Sequence, residues 1–324
     1  MDWTRLTVSG RVTAMQRGIC AGVTDEGTVF TARLGLPHQP ATTYDDVLVD
    51  SFGVLGLAPG DAGETWLTGR GADGRLALWA AREEEPAVRT HSLDATDALW
   101  ATPVLDAGTD LLMSGHLTDG AWSLRVHGLE SAASGGGPLL RDLALAGSPD
   151  AALVLGCPEK EPLVVAGRVG DSGTAAAWAL GDDDWRRIHL APAPTVITSV
   201  AYAWGGRHTW IGGLSDGRTV AHELLPLPFR GPLRSSVVHI PALEVVALPE
   251  GGGRPFVLVD DVASDVPVMV AAMSRGNRLC WNDGGEWKAY PAPDGPVRAA
   301  CSADGAIHVL IGHSVWSIED PTIA

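Results

Sequence analysis

The stretch DAALVLGCPEKEPLVVAGRVGDSGTAAAWALGDDDWRRIHLAP (150–192) decides the architecture. It divides into four short apolar runs, DAALVLGC, PLVVAGRV, TAAAWAL and DWRRIHLAP, separated by Pro, Gly and Asp clusters. Runs of this length, bounded by turn residues, read as β-strands. The Gly between the second and third runs supplies the positive φ that a tight hairpin turn needs. Four consecutive strands joined by short turns form one antiparallel meander.

The same phrase recurs along the chain. TWLTGRGADGRLALWA (65–80), LLMSGHLTDGAWSLRV (111–126) and TWIGGLSDGRTVAHEL (209–224) repeat its central hairpin. ICAGVTDEGTVFTARL (19–34), VMVAAMSRGNRLCW (268–281) and HVLIGHSVWSI (308–318) are weaker copies. The turn glycines Gly27, Gly74, Gly120, Gly173, Gly217, Gly276 and Gly312 are 47, 46, 53, 44, 59 and 36 residues apart. That spacing is the period of a four-stranded propeller blade. The expected fold is an all-β, seven-bladed β-propeller in a single domain, 1–324. The expected blades are 10–50, 51–95, 96–148, 149–194, 195–241, 242–293 and 294–320 with 1–9. The last repeat stops one strand short, and MDWTRLTVSG resembles the outer-strand phrases DWRRIHLAP and GEWKAYPAP. Trp3–Ser9 is therefore expected to complete the final blade and close the ring, covering an otherwise unpaired edge. The sixth repeat is longer than a blade requires between Leu243 and Met273, and implies either an insertion or an extra strand pair.

Composition agrees with a packed soluble domain. Hydrophobic residues make up 45% of the 324, while 40 glycines and 22 prolines punctuate short strands. No segment approaches the about 18 consecutive apolar residues of a membrane span, and MDWTRL has no basic flank leading into an apolar run. A cytoplasmic location without membrane association is expected. Cys20, Cys157, Cys280 and Cys301 show no metal-ligand spacing and read as small buried hydrophobes. Neither a metal nor a cofactor is expected. Of the 12 tryptophans, Trp3, Trp66, Trp79, Trp178, Trp185, Trp210, Trp281, Trp287 and Trp316 recur at equivalent strand positions, as packing wedges between blades would. Trp100 and Trp204 fall instead in innermost strands, where a Trp side chain can reach the axial mouth and stack on a ligand.

The net charge of −16 separates onto two faces once the strands are placed. Loops joining strands one to two and three to four collect Asp61, Glu64, Asp106, Asp110, Asp260, Asp261, Asp265, Asp283, Glu286, Glu319 and Asp320. The opposite loops collect Arg11, Arg70, Arg75, Arg168, Arg218, Arg275, Arg278 and Arg298. The acidic face serves solubility, and it also suits docking to a basic partner. Nucleic acid is excluded as a partner, because the chain has only two lysines and no basic stripe.

Arg70, His116, Arg168 and His313 occupy equivalent places at the ends of second strands. The repeat places them as a ring of donors suited to a carboxylate or another anion. The plainer reading is that they are strand-end polar residues, paired with neighbours such as Asp73 or Asp171. With Trp100 and Trp204 they are the ligand-binding candidates. The chain contains no G-x-S-x-G, H-E-x-x-H or P-loop pattern, and no catalytic residue is assigned.

The phrases DGRLALW, NRLCWNDGGEWKAYPA and DWTRLTVSGRVTA resemble the cadence of bacterial tandem-repeat lectin-like propellers. The resemblance implies closely matched blades with sugar pockets between neighbours. Here the blades diverge: His222 stands where a third-strand Trp is expected, and outer-strand Trp is missing from the second, third and fifth repeats. The expected function is a non-catalytic binding propeller that engages a protein, peptide or glycan through one loop face. The alternative is a small-molecule lyase, hydrolase or cyclase with its site at the axial mouth.

Overall fold

The computed structural model describes residues 2–8, 10–35, 40–47, 49–59, 64–71, 73–82, 85–93, 98–104, 111–118, 121–128, 139–145, 154–156, 164–169, 174–180, 185–203, 208–224, 233–238, 240–246 and 253–323. Every regular element among them is a β-strand, and none is a helix able to cross a membrane. The chain forms two compact units, Leu6–Leu145 in one and Met1–Arg5 with Ala146–Ala324 in the other.

The first unit contains three antiparallel meanders. After β1 (Thr4–Arg5), which belongs to the second unit, they run from β2 (Arg11–Gln16) to β5 (Thr42–Tyr44), from β6 (Val49–Pro59) to β9 (Val88–Leu93), and from β10 (Ala98–Val104) to β13 (Leu139–Leu145). Each pairs its strands in sequence order, as the four-run phrase predicts. Between the first and last strands lie β3 (Ile19–Val23) and β4 (Val29–Arg33), β7 (Thr65–Gly71) and β8 (Leu76–Ala81), and β11 (Leu111–Thr118) and β12 (Ala121–Gly128). β6 packs between β2 and β10. Ile19, Tyr44, Leu57, Leu67, Ala77 and Trp79 build a common core there. Burial of such apolar area, at about 25 cal/mol per Å², is the main force holding the sheets together. Gly22 on β3 is required by close approach, since a Cβ there would lie 2.1 Å from the Arg11 carbonyl oxygen.

In the second unit, β14 (Val154–Gly156), β15 (Val164–Val169), β16 (Thr174–Leu180) and β17 (Trp185–His189) form the meander read from 150–192. The next comprises β18 (Val196–Ala203), β19 (His208–Ser215), β20 (Arg218–Leu224) and β21 (Leu233–Val238). These two meanders join into one eight-stranded sheet, because β17 pairs parallel with β21 through Ile188–Leu233 and His189–Arg234. The Ser235 hydroxyl reinforces that seam by donating to the His189 carbonyl (3.1 Å). Nothing in the repeat pattern signals this join. At the β19–β20 turn Asp216 and Gly217 have φ of 50° and 74°, the paired positive values of a tight Asp-Gly hairpin turn.

β22 (Phe256–Leu258), β23 (Met269–Met273), β24 (Gly276–Asp283) and β25 (Glu286–Pro291) form a further sheet. The last is built from β26 (Val297–Ala303), β27 (Ala306–Ile311) and β28 (Ser314–Glu319), with β1 (Thr4–Arg5) as its fourth strand. The pairing of β1 with β28 places Thr4 opposite Ser317 and Arg5 opposite Trp316. The N-terminal strand is shorter than the expected Trp3–Ser9. Leu6 turns inward and is buried, and the chain then leaves this edge for β2. Trp3 adds a side-chain bond, its indole N–H donating to the Pro291 carbonyl (2.8 Å). Phe256, Met269, Leu279, Val297, Ile307 and Val309 lie in the core shared by these sheets.

The long sixth repeat forms no additional strand pair among the described residues. Residues 240–246 run as a strap instead. Glu244 bridges Arg218, the Leu243 amide donates to the Thr219 hydroxyl (3.0 Å), and the Val246 amide donates to the Ala272 carbonyl (2.9 Å).

Candidate functional site

Strand direction places the ends of β18, β22 and β26 at one end of the second unit. Asp260, just past β22, ties three elements together there. Its amide donates to the Ala300 carbonyl (3.0 Å), and its carbonyl accepts the Ser302 amide (2.7 Å). Its carboxylate accepts the Tyr202 amide (2.8 Å), and the Tyr202 carbonyl in turn accepts the Asp261 amide (2.6 Å). Asp260 is thus consumed in joining β18 and β26 to β22, although the sequence grouped it with surface carboxylates. The next residue, Asp261, takes φ of 59°, which Asp tolerates better than most side chains, and its carboxylate is exposed.

Asp261 and Asp265 on the β22–β23 loop, Asp283 at the β24–β25 turn, Asp304 at the β26–β27 turn and Glu319 at the end of β28 are all exposed at this end. Lys288 is engaged by Glu286 (2.8 Å). That contact raises the lysine pKa and lowers the glutamate pKa, in both cases mainly through the hydrogen bond between them. His208, which opens β19, lies 2.5 Å from Glu223 near the end of β20 and stacks on Trp210 at 6.2 Å between ring centroids. The result is a rim of carboxylates beside a half-buried imidazole and a buried indole. His208 carried no signal in the sequence, because its partner lies across a hairpin 15 residues away. In the first unit, among the described residues, Arg82 pairs with Glu64 and, at 3.6 Å, with Glu85.

The sequence candidates are distributed as follows. Arg70 lies on β7 opposite Leu76 and is half-buried; His313 lies in the β27–β28 turn and is half-buried. Trp100 is on β10 opposite Gly115, His116 on β11 opposite Ala98 and Ser123, and Arg168 on β15 opposite Ala175; their side chains lie outside the described ones. Trp204 and Asp171 lie outside the described residues. Asp73, named as a possible partner of Arg70, accepts the Arg75 amide (3.2 Å) and pairs with Arg89 (3.1 Å). These contacts, the amide bond first, lower its pKa.

The buried polar groups mostly serve packing. His308 is fully buried and bonds the Ser317 hydroxyl at 2.7 Å, while the Ser302 hydroxyl donates to Asp320 (3.0 Å). Trp79, Trp210 and Trp281 are buried wedges, as their repeat positions imply. Cys20, Cys280 and Cys301 are buried thiols. Burial pushes the Cys20 thiol up to about 12 and that of Cys280 to about 11, so neither carries a reactive thiolate. Cys157 lies outside the described residues. His222 fills the third-strand Trp position and is fully buried on β20, with Nδ1 3.4 Å from the Ser235 hydroxyl. Burial lowers its pKa. The nearby Pro192 carbonyl opposes that shift without forming a well-aligned bond to Nε2.

No protein-family model matches the chain, and no curated protein sequence matches it. Solved structures do. The Cps50 (Swd1) beta-propeller domain of Myceliophteria thermophila superimposes with a TM-score of 0.59 at 11% identity, covering 98% of this chain and 100% of that one. YCF48 from Cyanidioschyzon merolae gives 0.57 at 12% identity, with 98% of both chains covered. The Dos1 propeller gives 0.55 at 11% identity, covering 98% of this chain and 93% of that one. Likeness over nearly the whole chain at such low identity, together with the repeated four-stranded antiparallel sheets, makes this chain a diverged β-propeller.

Proposed function

We propose that this propeller is a non-catalytic interaction module. It docks a basic protein or peptide segment on the loop end that carries Asp261, Asp265, Asp283, Asp304 and Glu319. The observation that carries this reading is the exposure of all five carboxylates at one end of neighbouring sheets. Like charges gathered on one end steer a basic partner and orient its approach. We further propose that the chain is a single seven-bladed domain closed by its N-terminal strand, with the blade boundaries expected from the sequence. Pairing of β1 with β28 supports the closure.

The test is a titration with a fluorescent oligoarginine peptide, against wild type and a variant with those five residues changed to Asn or Gln. A control variant neutralises Asp25, Glu26, Asp45 and Asp46, which are exposed in the first unit. The rim variant is expected to associate about tenfold more slowly and to lose most of its salt dependence. Equal losses in the two variants would reduce the effect to net charge and overturn the assignment.

A further inference from the structure

The eight-stranded sheet of the second unit is joined at its centre by β17 and β21, and the tie is slight. Among the described residues the two strands meet at Ile188–Leu233 and His189–Arg234, whereas β16–β17 and β20–β21 are each joined at four residue pairs. The pairing is also parallel, the slightly weaker kind of ladder. The Ser235 hydroxyl reinforces it by donating to the His189 carbonyl (3.1 Å).

His222 lies behind this tie, fully buried on β20. Its cross-strand neighbour Ile211 belongs to the apolar cluster that also holds Ile188 and Leu190 from the β17 side. Nδ1 lies 3.4 Å from the Ser235 hydroxyl, and the Pro192 carbonyl, just past β17, makes no well-aligned bond to Nε2. The single proton of the Ser235 hydroxyl goes to the His189 carbonyl, so Ser235 offers Nδ1 only a distant lone pair. An imidazolium needs an acceptor for each of its two N–H groups, and here it finds neither in good geometry. A buried charge so poorly paired is costly to keep.

Neighbouring charges add to that cost. Arg187 and His189 on β17 and Arg234 on β21 are exposed along the seam, and neither strand contains a carboxylate. His189 is the register partner of Arg234, so a proton on it sets two cations opposite one another. Glu223 alternates to the other face of β20 and is engaged by His208 of β19 (2.5 Å), and Arg218 is exposed at the start of β20. Among the described side chains of these strands no carboxylate shares the face of His222. The side chains of Arg168 and Arg186 lie outside the described ones, and Asp171 and Asp182 to Asp184 lie outside the described residues.

We propose that the β17–β21 seam is an acid-operated joint. A proton on His222 parts the two strands and divides the eight-stranded sheet into its two four-stranded meanders, each keeping its own antiparallel pairing. The direction follows from burial, which lowers the His222 pKa in the closed joint. The open joint then binds the proton more tightly than the closed one. Closure is fully favoured above about pH 6.5, the ordinary imidazole value, and is lost progressively as pH falls below it. The joint does not rest on the acidic docking end, and either reading can fail without the other.

The test is hydrogen exchange of the intact chain at pH 7.5 and 5.0, corrected for intrinsic rates and read by mass spectrometry in peptides covering β17 and β21. Peptides from β24–β25 serve as the control sheet. In wild type the seam should lose protection at least about tenfold on acidification while the control sheet keeps its own. His222→Leu should leave the seam equally protected at both pH values. His222→Gln, neutral and polar, should do the same, and it carries the test should the leucine variant fail to fold. The proposal falls if the wild-type seam keeps its protection, or if the control sheet loses protection in step with it, which is global acid unfolding. It falls equally if the His222 variants respond as wild type does. Loss of the response in His189→Gln alone would also overturn it, because the facing cations would then be the trigger.

Discussion

Replacing Asp260 separates its structural role from its charge. In Asp260→Ala the backbone bonds to Ala300 and Ser302 remain, but the partly buried Tyr202 amide loses the carboxylate oxygen it donates to at 2.8 Å. A buried donor left without an acceptor costs about 1–3 kcal/mol, and a bond to a charged acceptor lies toward the upper part of that range. We therefore expect Asp260→Ala to lower the unfolding free energy by about 2 kcal/mol. Asp260→Asn retains an oxygen at the same place. Since a neutral hydrogen bond is roughly half as strong as a charge-assisted one, its loss should be about 1 kcal/mol. The assay is urea denaturation of the three proteins, followed by native-state hydrogen exchange at the Tyr202 amide. That amide should exchange fastest in the Ala variant and at an intermediate rate in the Asn variant. If Ala and Asn prove equal, or if the Ala variant is as stable as wild type, the carboxylate is not the tie that joins β18 to β22.

Further outcomes follow from other positions. His222 is buried with a lowered pKa, so below about pH 6.5 the unfolded chain takes up a proton more readily than the folded one. The stability it contributes is therefore present above that pH and lost as pH falls. His222→Leu should flatten the urea midpoint between pH 7.5 and 5.5, and an unchanged slope would show that other groups control the acid limb. Gly22→Ala should destabilise by about 2–3 kcal/mol, because the new methyl meets the Arg11 carbonyl oxygen and the Phe30 ring. Gly27→Ala meets open space at φ of 88° and should cost only about 1 kcal/mol, the penalty of that backbone conformation. Thermal melts of the two variants check the ranking.

The candidate site was only partly legible before folding. Asp261, Asp265, Asp283 and Glu319 were assigned to the acidic end from turn positions alone, because in a meander the strand count tells which loops share an end. Asp260 was grouped with them and behaves differently. Its neighbours Asp261 and Asp265 project to solvent, whereas its own carboxylate reaches an amide 58 residues away in sequence. Arg254 carries no signal in the sequence, because it lies in the irregular sixth repeat, where no equivalent position in the other copies points to it. In the sequence His222 stands out only as the residue in place of a third-strand Trp. Its burial beside the parallel β17–β21 seam depends on how two successive meanders meet.

Sequence alone determined the local chemistry: Asp-Gly pairs where hairpins turn, apolar runs of strand length, and a repeat long enough for four strands. Those features act over a few residues, so they survive even where identity to known propellers is about a tenth. Tertiary structure decided which polar groups are used up in holding sheets together and which remain exposed. That choice depends on contacts such as Asp260 with Tyr202 and Arg254 with Thr198, whose partners lie 58 and 56 residues apart and meet only after the sheets have packed. Desolvation then sets their chemistry, because the same carboxylate or guanidinium is a surface charge in water and a structural tie between strands.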